Sequence, residues 1–150
     1  MKIAIGCDHG GFEHKNAIKE HLEERGFDVE DFGIYEYASV DYPDIAKKVA
    51  NAVANEECRL GILVCGTGIG MSIAANKVKG IRAAACSEHF SAKYTRMHNN
   101  SNVLCLGGRV IGIGAAIELT DLFIDTPFEG GRHQRRIDKI TEIEKNQGEK

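Results

Sequence analysis

Residues 60–76, Leu-Gly-Ile-Leu-Val-Cys-Gly-Thr-Gly-Ile-Gly-Met-Ser-Ile-Ala-Ala-Asn, constrain the fold more than any other stretch of the chain. Residues 60–65 form an apolar run too short for a helix and suited to a strand buried on both faces. Gly66, Gly68 and Gly70 follow at alternate positions, and 71–76 reads as helix. Glycine permits φ > 0 and close approach of a ligand. A helix start adds unpaired N–H groups and a partial positive charge. Strand, glycine loop and helix together therefore predict a site for an anion or an oxyanion. The loop is not a Gly-x-Gly-x-x-Gly fingerprint, because position 71 is Met71, and it lacks the Gly-Lys-Ser/Thr of a Walker loop.

Cys65 closes the strand, which places its thiol at the mouth of the loop. A helix N-terminus favours a thiolate over a thiol. A base beside a row of N–H donors is what proton abstraction next to a carbonyl requires, since the donors hold the oxyanion that results. A strand cysteine is also a common packing residue, and position alone leaves both readings open.

Around this centre strands and helices alternate. Residues 2–7 predict a first strand, 27–32 a second, 81–86 a fourth and 103–106 a fifth. His14, Ala17, Ile18, His21 and Leu22 share one face of a first helix, which places the two histidines on its flank and not in a ligand set. Ile45, Ala46, Val49, Ala50, Val53 and Ala54 give a second helix its apolar face. Further helices are predicted over 88–97 and 112–125, with 98–102 a polar turn and Pro127 a break. The alternation predicts a single-domain, Rossmann-like α/β/α sandwich with a five-stranded parallel sheet and a C-terminal helical tail from about 127. Such sheets bind ligands at the carboxyl ends of their strands. Asp8, His9, Cys65, the 66–70 loop, His98, Asn99 and Arg109 are all expected at that edge. Asp8 can equally cap a helix, and Tyr42 can line the site or sit on a surface loop. Arg132 and Arg136, at i and i+4, suit either a phosphate dianion or a solvated basic turn. The tail helix has few partners within its own chain and is expected to dock on a second subunit.

Composition limits the remaining classes. A net charge of −3 over 150 residues speaks against a general nucleic-acid binder. No apolar run approaches a membrane span, and the chain passes from Met1-Lys2 directly into a strand without a signal peptide. Five cysteines without a Cys-x-x-Cys pair suggest neither disulfides nor structural zinc, so a reducing cytoplasm is the expected location.

Several motifs in order then point to a family: Gly-Cys-Asp-His-Gly-Gly at 6–11, Asp-Tyr-Pro at 41–43, Cys-Gly-Thr-Gly-Ile-Gly at 65–70, Ser-Ile-Ala-Ala-Asn-Lys at 72–77, Gly-Ile-Arg-Ala at 80–83, His-Asn at 98–99, Asn-Val-Leu at 102–104 and Gly-Gly-Arg-His at 130–133. With these the chain resembles the type B ribose-5-phosphate isomerases, the family that also holds the galactose-6-phosphate isomerase subunits. The resemblance implies an aldose–ketose isomerase without metal or other cofactor. It assigns Cys65 as the base that moves a proton between C2 and C1, and Gly66, Thr67, Gly68, Ile69 and Gly70 as the hole for the enediolate oxygen. Some members carry a glutamate base just after the loop; Met71 stands there in this chain and cannot take a proton. His98 matches the residue that opens the furanose ring, Asp8 and Asn99 match sugar contacts, and His9, Arg109, Arg132 and Arg136 match the phosphate-binding set. Thr67 is expected to hydrogen-bond the Cys65 sulfur. The resemblance also implies a dimer or tetramer with sites shared between subunits. Galactose 6-phosphate, allose 6-phosphate or an unphosphorylated aldose stay open as substrates. A non-catalytic phosphosugar-binding module would need the glycines and arginines but not Cys65 with His98.

Overall fold

The structure, a computed structural model, describes residues 1–147. Five strands, β1 (Lys2–Cys7), β2 (Asp28–Asp31), β3 (Leu60–Cys65), β4 (Ala83–Ala85) and β5 (Val103–Gly107), form one sheet in the order β2-β1-β3-β5-β4, every pairing parallel. The central strands β1, β3 and β5 are apolar and buried almost throughout, as a sheet covered on both faces requires. Helices α1 (Phe12–Glu24), α4 (His89–Asn99) and α5 (Ile113–Asp125) pack together on one face, and α2 (Tyr42–Ala54) and α3 (Ile69–Ala75) on the other. From β1 the chain crosses to β2 on one side; from β3 it crosses toward β4 and β5 on the other. The adjacent strands β1 and β3 therefore flank the switch point where open α/β sheets form their ligand crevice. Helix α6 (Arg132–Asn146) follows as the tail. It buries only His133 and Ile137, while Ile140 and Ile143 stay exposed. Among the described residues no helix is long and apolar enough to cross a membrane.

Several element ends differ from the sequence expectation. Helix α3 starts at Ile69, two residues before 71, because Gly68 takes the left-handed conformation (φ 81°) and launches the helix inside the glycine loop. Strand β4 keeps only three residues, since the Asn76 side chain takes both the N–H and the C=O of Ala83 (2.8 and 2.9 Å). Helix α4 runs on through His98 and Asn99 and ends where Asn100 turns left-handed (φ 46°), so His98 and Asn99 belong to its last turn and not to a loop. The buried face of α1 includes Lys15 with Ile18 and Leu22. Its Nζ donates to Asp31 Oδ2 and to the Ile34 carbonyl, both at 2.8 Å, which fastens the chain leaving β2 onto α1. His14 and His21 do lie on the helix flank, bonding the Ile111 carbonyl (2.8 Å) and the Asp121 carboxylate (2.8 Å).

Candidate functional site

Three backbone segments meet at the carboxyl ends of β1, β3 and β5. Asp8 leaves β1 and caps the 3-10 turn of His9–Gly11 by accepting from Gly10 N at 2.8 Å. That turn presses on the glycine loop: a Cβ at Gly10 would lie 2.9 Å from Gly66 N. A Cβ at Gly108 would collide with the Gly10 carbonyl. Gly108 N donates to the Cys65 carbonyl (2.8 Å) and Arg109 N to the Gly66 carbonyl (3.0 Å). No side chain fits between these strand exits, which is why glycines occupy them.

The Cys65 sulfur is 5 % exposed and accepts a hydrogen bond from Gly68 N at 3.1 Å. The expected Thr67 contact is not what the structure shows: Thr67 Oγ1 accepts from Ile69 N (3.2 Å), and the recorded donor to sulfur is the backbone. Gly68 is held by its positive φ so that its N–H turns back onto the strand-end sulfur. Beyond it, the Gly70 and Met71 amides open α3 without a carbonyl partner among the described residues. The Cys65 thiol therefore closes its strand just before the start of α3, whose Gly70 and Met71 amides have no backbone acceptor among the described residues. The other cysteines are different. Burial pushes Cys7, Cys58 and Cys86 up to about 11, and Cys105, wholly enclosed, rises further by burial and then by the neighbouring Cys65 and Cys86. They fill the core as protonated thiols.

His9 stands at the rim of this crevice, its buried Nδ1 without a hydrogen-bond partner and its ring edge-on to Tyr37 at 6.3 Å. A buried polar atom left unpaired is costly, and an incoming anion would satisfy it. The exposed Arg109 side chain lies over Gly66, where a Cβ would sit 3.7 Å from its Cδ. Tyr42, whose role the sequence left open, lays its ring against Gly70, 2.8 Å from where a Cβ would be. It is a wall of the glycine loop that the Tyr-Pro helix start at 42–43 delivers.

Four expected site residues are not here. Helix α4 runs antiparallel to the strands it joins, so its last turn, with His98 and Asn99, lies at the amino edge of the sheet, just before β5 begins. Arg132 and Arg136 share that end through α6: Glu129 N donates to the Met97 carbonyl (3.0 Å), and the His133 ring stacks on His98 with centroids 4.1 Å apart. Both arginines are exposed and form no ion pair among the described residues. The expectation of one common edge is therefore corrected. Asp8, His9, Cys65, the 66–70 loop and Arg109 gather at the carboxyl edge; His98, Asn99, Arg132 and Arg136 gather at the amino edge. The second cluster also holds Glu129, which sequence reading missed, and His133, whose role it left open. Glu129 Oε2 lies 3.4 Å from Nε2 of both His98 and His133. The i, i+4 spacing of Glu129 and His133 was the available signal.

Fold and carboxyl-edge crevice define an open parallel α/β protein with its ligand site at the strand ends, and comparison with known proteins is specific. Residues 3–140 match the family Ribose/Galactose Isomerase, and the chain belongs to it. It is 52 % identical over 143 residues to ribose-5-phosphate isomerase B of Escherichia coli (strain K12), covering 95 % of this chain and 96 % of that one. The structure of Clostridium thermocellum ribose-5-phosphate isomerase B superposes with a TM-score of 0.96 at 52 % identity, covering 97 % of this chain and 99 % of that one. The structure of ribose-5-phosphate isomerase B from Mycoplasma genitalium with bound ribulose-5-phosphate has a TM-score of 0.92 at 48 % identity, covering 96 % of each chain.

Proposed function

We propose that the protein interconverts ribose 5-phosphate and ribulose 5-phosphate, with Cys65 as the proton-transfer base and the 66–70 loop as the oxyanion site. The observation that carries this reading is the Cys65 sulfur hydrogen-bonded by Gly68 N (3.1 Å) beside the unpartnered Gly70 and Met71 amides. His98 gives a proton to the ring oxygen O4 as the C1–O4 bond of the furanose breaks, and the O1 hydroxyl proton passes to solvent as the C1 aldehyde forms. The Cys65 thiolate then takes the C2 proton, and the electron pair delocalises onto O1, where the loop amides meet it. Return of that proton to C1, with the hydroxyl proton passing from O2 to O1, completes the ketose. One preorganised oxyanion donor is typically worth about 3–4 kcal/mol, and the loop offers more than one. Asp8 and Asn99 hold sugar hydroxyls; His9, Arg109, Arg132 and Arg136 hold the phosphate, whose binding energy positions the reacting carbons. Thr67 contributes by bonding Ile69 N and so shaping the loop.

Because the two residue clusters lie at opposite edges of one sheet, each site is built from two copies of the chain. One copy supplies Asp8, His9, Cys65, the loop and Arg109, and the other supplies His98, Asn99, Arg132 and Arg136. Exposed apolar side chains support this arrangement. Ile69 and Ile73 on α3 and Val110 just after β5 are exposed, as are Ile140 and Ile143 on the tail from about 127 that docks on the partner. Five unpaired cysteines suit a cytoplasmic enzyme.

The test is turnover of ribose 5-phosphate with chelator present, which should leave the rate unchanged. Cys65→Ala should lose roughly 10²–10⁴-fold in kcat, the worth of a general base, while still binding the phosphosugar. Near-normal turnover in that variant would remove Cys65 as the base.

A further inference from the structure

We propose that His98, Glu129 and His133 form a binding site for a divalent transition metal, zinc by its ligand chemistry, and that occupation of this site blocks ring opening. The second half of the proposal rests on the assignment of His98 above; the first does not. The last turn of α4 supplies His98, and the chain entering α6 supplies Glu129 and His133. Gly130 and Gly131 take positive φ (73° and 58°), turning the chain so that both flanking side chains face α4. The Glu129 N to Met97 O bond of 3.0 Å pins this junction.

The donor atoms are spaced for a metal. Glu129 Oε2 is 3.4 Å from each Nε2, and all three ligating atoms lie within 4.8 Å of one another. Bonds of about 2.0–2.1 Å to a tetrahedral zinc put its ligands about 3.4 Å apart. Two imidazoles and a carboxylate form a donor set that zinc accepts with a fourth position left to water. His133 is buried and so held in place, and the Glu129 backbone is tied to α4 while its carboxylate stays exposed and free to swing onto an ion. The imidazole planes are 10° apart in a stack, and His98, one-third exposed, must turn out of that stack to aim its lone pair at a shared ion. This is the only group of three convergent ligating side chains among the described residues; the strand-end cysteines do not form one. A metal on Nε2 of His98 removes the proton that the nitrogen would give to the ring oxygen. Within one chain Cys65 lies at the opposite edge of the sheet and is not among the ligands; in the two-copy site the ion, held only by His98, Glu129 and His133, would come near the Cys65 of the other copy.

The whole protein, stripped with chelator, is titrated with zinc alone by calorimetry and with cobalt by absorption. One ion per chain is expected, with a cobalt spectrum free of sulfur-to-metal charge transfer. Glu129→Gln and His133→Gln should each weaken binding roughly tenfold or more, whereas Cys65→Ser should bind as the parent does. No stoichiometric binding, a thiolate band, or unchanged affinity in both ligand variants would overturn the site. In turnover, zinc should inhibit ribose 5-phosphate but spare an aldose phosphate too short to close a furanose ring. Equal inhibition of the two substrates, with binding intact, would overturn the block at ring opening, while the role of His98 itself is tested separately by His98→Asn.

Discussion

Replacing Gly68 by alanine tests whether the loop's backbone, and not the thiol alone, makes the site. The residue sits at φ 81°, where an L side chain costs about 1–2 kcal/mol. The added Cβ would lie 3.0 Å from the Leu106 carbonyl carbon and 3.2 Å from the Cys105 carbonyl carbon and oxygen. Those atoms belong to the central strand β5, paired on both sides, and cannot step back as a flexible side chain would. Overpacking of this kind adds about 1–3 kcal/mol. Stiffening of the unfolded chain returns about 0.4–1 kcal/mol. The net expectation is a loss of about 1–5 kcal/mol, which a domain of ordinary stability survives. The displaced peptide also carries the N–H that bonds Cys65 Sγ. A hydrogen bond to a charged group is worth about 1.5–3 kcal/mol, so kcat should fall roughly 10- to 100-fold in the folded variant. Gly66→Ala is the control. Its Cβ would meet only Arg109, at 3.7 Å, so stability should hold within about 0.5 kcal/mol. Urea unfolding and steady-state rates at neutral pH measure both. A Gly68→Ala protein within about 1 kcal/mol of the parent, with parental kcat, would refute the reasoning.

Two further outcomes are expected. His98→Asn should lose roughly 10²–10⁴-fold on ribose 5-phosphate but far less on an aldose phosphate that cannot cyclise, and equal losses would remove the ring-opening role. Stability should fall between pH 9 and about 11, because buried Cys7 and Cys86 ionise at about 11 when folded but near 9 when unfolded, so the unfolded chain releases its protons first. A Cys7→Ala variant should show a shallower decline in urea midpoint over that range, and an identical slope would contradict the burial argument.

The central part of the molecule was legible in residue order because its causes are local. An apolar run of six, three alternating glycines and the absence of a lysine specify strand, loop and helix without reference to anything distant. Boundaries failed where a single side chain or one left-handed residue took over, as Asn76 does at Ala83 and as Gly68 and Asn100 do at helix ends. The burial of Lys15 had no local signal because its partners, Asp31 and the Ile34 carbonyl, come from the next strand and the loop beyond it. The donor to the Cys65 sulfur was misassigned to Thr67 for a similar reason: sequence lists hydroxyls but does not show where a backbone N–H will point.

The larger error, placing His98 and Asn99 with Cys65, came from treating every polar loop as part of one edge. A crossover helix between parallel strands must start at the carboxyl edge and finish at the amino edge. A residue in its last turn therefore sits a full strand length from the crevice of its own chain. The ring-opening role proposed for His98 would put that residue beside the sugar, and on that proposal a second copy would have to bring it there. A closed two-fold pair does this twice, by symmetry. Mixing inactive proteins tests the geometry directly. Cys65→Ala ruins one half-site and His98→Asn the other, and neither alone should turn over ribose 5-phosphate appreciably. After unfolding and co-refolding at equal amounts, random pairing puts about half the chains in mixed dimers, each with one complete site, which restores about a quarter of the parental activity. Sites built within a single chain could not recover at all, whatever the mixture.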